Sequence, residues 1–136
     1  MRFQARFKKS FSKTFLPSLP IDKPETQHIC KVTHDANFRI LYLSRAVIPQ
    51  PFKHRPDFYL KHLSIISFTS ESLRHYSTLK PSNLERVEGI ELLRAIENGM
   101  VVGTVLLEGD SFSVDIKQDF DKAIERMAID EMRKQY

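Results

Sequence analysis

The residues of this 136-residue chain that could do chemistry are few, and most are charged. Arg45 follows Ser44 at the end of an aromatic and branched run, Phe38 to Leu43. A guanidinium at a strand end is well placed to grip a carboxylate with two parallel hydrogen bonds; the alternative is a surface ion pair. Glu85, Glu88 and Glu91 fall at steps of three, so on a helix they share one broad side. They either line a polar cleft or form a solvated face with Arg86 and Arg94 as partners. His62 lies in an apolar run after Lys61, as a ligand or as a core or edge residue. Asp115 precedes a helical pattern with Gln118 three residues on, which reads as a capping box. An aspartate there can also contribute to Mg²⁺, which is commonly held by one or two carboxylates plus substrate phosphates. No Ser/His/Asp arrangement can be inferred, so catalytic residues are not assigned. Gly89, Gly99, Gly103 and Gly109 are scattered and form no phosphate loop.

The elements that must position these groups read as one α/β domain over residues 25–136, with a mixed, partly parallel sheet and flanking helices. Strands are expected over 29–33 and 38–43, joined as a hairpin by His34–Asn37. Residues 49–56 hold three prolines and read as a loop. A buried strand is expected over 59–68, a short helix capped by Ser70 over 71–78, and one long helix over 84–98 that Gly99 stops. A valine-rich strand over 100–107 follows, and a last helix opens at 115–118 with Phe120, Ala123, Ile124 and Met127 at helical spacing.

Residues 1–24 read as a separate segment that packs weakly on the rest. It carries Arg2, Arg6, Lys8, Lys9 and Lys13 with no acid before Asp22, and Pro17, Pro20 and Pro24 punctuate its end. A poorly ordered extension and an organelle transit peptide are both consistent with this composition. Outside residues 1–21, 16 basic residues face 17 acids, so the net charge of +4 belongs to the segment rather than to a basic face on the domain. Nucleic acid is therefore not an expected partner. No apolar run reaches the length of a membrane span, and the expected location is cytoplasmic, with organelle targeting as the alternative. The lone Cys30 excludes an internal disulfide and reads as a small strand residue.

The order of short motifs goes further than their chemistry. Lys31-Val32 and Asp35 are followed by Leu41-Tyr42-Leu43-Ser44-Arg45-Ala46-Val47-Ile48-Pro49, and then by His62-Leu63-Ser64-Ile65-Ile66. Leu84-Glu85, Ile90-Glu91-Leu92-Leu93-Arg94 and Ser113-Val114-Asp115 with Asp119-Phe120 complete the series. Over about residues 25–133 this resembles the C-terminal half of the CMP-KDO synthetases, the 3-deoxy-manno-octulosonate cytidylyltransferases, in a truncated and divergent form. The resemblance implies half of a Rossmann-like nucleotidyltransferase domain that binds a sugar acid and forms a homodimer. It implies Arg45 and His62 facing the sugar acid, with Arg45 on its carboxylate, Glu91 accepting from sugar hydroxyls, and Asp115 helping to hold Mg²⁺. The implied reaction is attack of the sugar's anomeric hydroxyl on the α-phosphate of CTP, a step of lipopolysaccharide precursor synthesis. The chain departs from the pattern at Ser64, Ile66, Leu92 and Ser113, where the family has glycine, tyrosine, glutamine and glycine. The family's CTP-cradling loop is echoed only by Ala5-Arg6-Phe7, Ser12, Leu16-Pro17 and Pro20. The expected function is thus a cytidylyltransferase relative inactive by itself, or a noncatalytic dimeric module or remnant keeping the fold.

Overall fold

The computed structural model describes residues 14–22, 24–109, 111 and 113–130. Six strands form one sheet: β1 (Thr14–Ile21), β2 (Lys31–His34), β3 (Ile40–Ser44), β4 (Tyr59–His62), β5 (Ser67–Phe68) and β6 (Val102–Leu106). Four helices accompany them: α1 (Ser70–Thr78), α2 (Asn83–Glu88), α3 (Leu92–Glu97) and α4 (Lys117–Ile129). The sheet is mixed, as expected: β6 runs parallel to β1, while β2–β3, β2–β4, β1–β4 and β1–β5 are antiparallel.

The main correction concerns the segment read as a weakly packed tail. Residues 14–21 are not a tail; they form the central strand. β4 and β5 lie end to end along one edge of β1, and β6 lies along the other. Thr14, Leu16, Ser18 and Leu19 are all buried. Buried Thr14, Leu16 and Ser18 alternate with partly buried Phe15 and Pro17, so two polar residues sit on the inner face and the polar/apolar alternation that marks a strand in sequence is lost. The prolines of β1 fit because their missing N–H groups fall where no ladder bond is needed. Leu63 N–H donates to the Pro17 carbonyl at 3.0 Å, so Pro17 faces the β4/β5 edge, beside the break between those strands. Leu107 N–H donates to the Ser18 carbonyl at 2.9 Å, so even-numbered residues face β6, and Pro20 lies past the end of that strand. Ser18 Oγ and Thr104 Oγ1 share a 2.7 Å hydrogen bond, and Thr104 Oγ1 also meets the Leu16 carbonyl at 2.7 Å. Two buried hydroxyls thus satisfy each other between β1 and β6. Residues 1–13, with Phe3, Phe7 and Phe11, lie outside the described residues.

Two other elements divide where the sequence suggested continuity. The strand expected over 59–68 breaks into β4 and β5, leaving Ile65 and Ile66 exposed at the break. The helix expected over 84–98 is two helices. Gly89 takes a left-handed conformation (φ 63°) as the C-cap of α2, and Ile90 enters the core before α3 begins. The core is built from β1, β2, β3 and β4, with Ile90, Leu92, Leu93 and Ala95 from the α2–α3 region and Val102 from β6. Leu92, the apolar replacement for the family's glutamine, is 3% exposed and packs there.

Candidate functional site

The geometry centres on the end of β3. Ser44 Oγ–H donates to Glu88 Oε1 at 2.7 Å, Arg45 N–H donates to Glu88 Oε2 at 2.9 Å, and Tyr42 O–H reaches Oε1 at 3.4 Å. Ala46 N–H donates to Ser44 Oγ at 3.0 Å. One carboxylate on the last residue of α2 therefore fixes Ser44 and Arg45 directly, and Ala46 through the serine.

Arg45 returns the contact. Its Nε donates to the Glu88 carbonyl at 2.9 Å, Nη1 to the carbonyls of Gln27 and His28 at 3.2 and 3.4 Å, and Nη2 to the Gly89 carbonyl at 3.4 Å. Four of the five N–H donors of the guanidinium are thus aimed at backbone carbonyls. A Cβ built on Gly89 would lie 4.0 Å from Arg45 Nε, an ordinary contact, so it is the positive φ of the turn rather than the packing that favours glycine.

Beneath this clasp lies Lys31, which is completely buried. Its Nζ donates to the carbonyls of Thr26 at 2.8 Å and Ile29 at 2.7 Å, and to that of Arg45. Burial lowers the Lys31 pKa, and the carbonyls supply the acceptors that a buried ammonium needs. The neighbouring Cys30 thiol is pushed up to about 12 by burial, so it carries no thiolate chemistry near neutral pH.

The three helix glutamates have three different fates. Glu85 accepts a two-pronged contact from Arg94, with Nε to Oε2 at 2.8 Å and Nη2 to Oε1, and its Oε2 also accepts from Ser82 N–H at 2.9 Å. Arg94 lies 5.3 Å over the ring of Tyr76. Glu88 forms the β3 clasp. Glu91 is exposed, and its backbone carbonyl accepts from Tyr76 O–H at 3.0 Å and from Arg94 N–H at 3.1 Å. The three do not line one cleft, because the left-handed turn at Gly89 rotates Glu91 away from the α2 register.

The four residues assigned to a site each have their own surroundings. Arg45 contacts Gln27 and His28 on one side and Gly89 on the other, two residues before Glu91. His62 donates its backbone N–H to Cys30 at 3.0 Å, and its ring Nδ1 lies 2.5 Å from the Leu63 carbonyl. Asp115 is exposed. It is not the N-cap of the last helix: α4 begins at Lys117, and Asp119 Oδ2 accepts the N–H groups of Asp115 and Ile116 at 3.4 and 3.3 Å. Asp115 offers one carboxylate for Mg²⁺, and no group of three His, Cys, Asp or Glu that could hold a metal occurs among the described residues. It fits a metal only as one contributor beside substrate phosphates. A separate cleft of about 270 Å³ is lined by Pro20, Ile21, Asp22, Ile29, Lys61, Gly109 and Ser111, and none of the four assigned residues lines it. Glu88 and Lys31 are the residues that sequence reasoning undervalued. The only sign of Glu88 was its place in the three-residue glutamate series.

These contacts imply an acid-sensitive fold. The Arg94 fork holds Glu85 below its usual carboxylate value. Burial pushes Glu88 up, but donation from Arg45 N–H, Ser44 and Tyr42 outweighs it, leaving a lowered pKa. The backbone N–H groups of Arg39 and Asn37 lower Asp35. A carboxyl with a lowered folded pKa contributes stability above its unfolded pKa of about 4, and that stability is lost as pH falls through the folded value. The thermal midpoint should be flat from pH 7 to about 5 and drop below that. In a Glu85→Gln/Glu88→Gln variant it should start lower and vary less, as scanning calorimetry across pH would show.

Sheet, helices and motif order define an α/β domain related to the nucleotidyltransferases. The chain is homologous to part of CMP-KDO synthetase. It is 36% identical over 110 residues to the 3-deoxy-manno-octulosonate cytidylyltransferase of Rickettsia prowazekii (strain Madrid E), covering 79% of this chain and 43% of that protein. The Rickettsia rickettsii (strain Sheila Smith) protein of the same name is 36% identical over 79% of this chain and 44% of its own. A solved structure of CMP:2-keto-3-deoxy-manno-octonic acid synthetase complexed with CTP superposes with a TM-score of 0.78 at 27% identity. It covers 87% of this chain and 50% of that one. The chain therefore spans less than half the length of the curated relatives it matches. No family model matches it. No helix among the described residues is long and apolar enough to cross a membrane.

Proposed function

We propose that this chain is a cytidylyltransferase-derived domain that keeps the sugar-acid and dimer-forming half of CMP-KDO synthetase and does not make CMP-KDO by itself. The observation that carries the reading is the closure of Arg45. The guanidinium matched to the sugar acid's carboxylate is spread over the carbonyls of Gln27, His28, Glu88 and Gly89. To grip a carboxylate in two-pronged fashion it must give up contacts that hold α2 to β3. Burial of Leu92 in the core, where the family pattern has glutamine, removes a further polar partner. His62, Glu91 and the single carboxylate of Asp115 are the remaining ligand groups in this reading. A homodimer, weak sugar-acid binding, a Mg²⁺ requirement in any reconstituted activity and a cytoplasmic location belong to the same proposal.

The test is an incubation of the purified 136-residue chain with CTP, Mg²⁺ and KDO, followed by pyrophosphate release. No release above the uncatalysed background is expected. Release at about 1 per second or faster, a rate ordinary for enzymes, would overturn the proposal.

A further inference from the structure

We draw no further inference here: the strongest candidate, the surface loop of residues 49–56, where Phe52 is 93% exposed beside the exposed Lys53, His54 and Arg55, carries nothing because nothing in the structure shows what covers it.

Discussion

Without residues 1–21, the remaining polypeptide should show no cooperative unfolding transition. The deletion removes β1, the strand that pairs with β4 and β5 on one edge and β6 on the other. What is left to β6 is the isolated bridge between Arg39 and Gly103 and the bond from Thr104 N–H to the Phe38 carbonyl at 2.8 Å. Leu16 and Leu19, 0 and 3% exposed, vanish from the interior. Each such side chain contributes about 1.5–3 kcal/mol by burial alone. The loss also orphans the backbone groups of three strands and the hydroxyl of Thr104. A domain of this size has a net stability of only about 5–15 kcal/mol, and these losses together are of that order. The point variant Leu16→Ala isolates the effect of the strand, with an expected cost of about 2–5 kcal/mol. Urea denaturation of the wild type, the deletion and Leu16→Ala decides the matter. A deletion variant that unfolds cooperatively, with a midpoint near that of the wild type, would show that β1 is dispensable.

Glu88→Ala is expected to destabilise the fold by about 2–3 kcal/mol, as the loss of several hydrogen bonds to one charged, partly buried carboxylate requires. Ser44, at 2% exposure, would keep a hydroxyl with its acceptor gone, and Arg45 N–H would lose its acceptor too. Glu88→Gln should recover little. Donors approach both carboxylate oxygens, and an amide presents an N–H₂ group to one of them. Arg45→Lys should also destabilise, because a point ammonium cannot span the carbonyls of Glu88, Gly89, Gln27 and His28 as the planar guanidinium does. If Arg45 and Glu88 act as one clasp, the double variant Glu88→Ala/Arg45→Lys should cost less than the two single costs combined. Strict additivity in chemical denaturation would show that the two residues act independently.

The comparison with the sequence separates local from nonlocal information. The hairpin of β2 and β3, the loop of 49–56 and the valine-rich β6 were legible because each depends on near neighbours. Turn residues, prolines and a short apolar run carry their own signals. The motif Ser44-Arg45-Ala46 was legible as a marker of kinship, but not in what its side chains touch. Its principal acceptor, Glu88, is 43 and 44 residues away, and no periodicity links a strand end to a helix C-terminus.

By itself, the sequence determined the class of domain, the order of most elements and the residues worth watching. Only the tertiary structure decided that Thr14–Ile21 is an interior strand of the sheet, because its buried face carries the polar Thr14 and Ser18, which hides the alternation, and its prolines are tolerated only by the gaps in its neighbours. The same holds for the glutamates: Gly89 breaks the helix, so residues spaced at three in the sequence face a strand, an arginine and solvent. Lys31 makes the point most directly. A lysine in sequence reads as surface, and it takes three convergent backbone carbonyls, from Thr26, Ile29 and Arg45, to bury one completely.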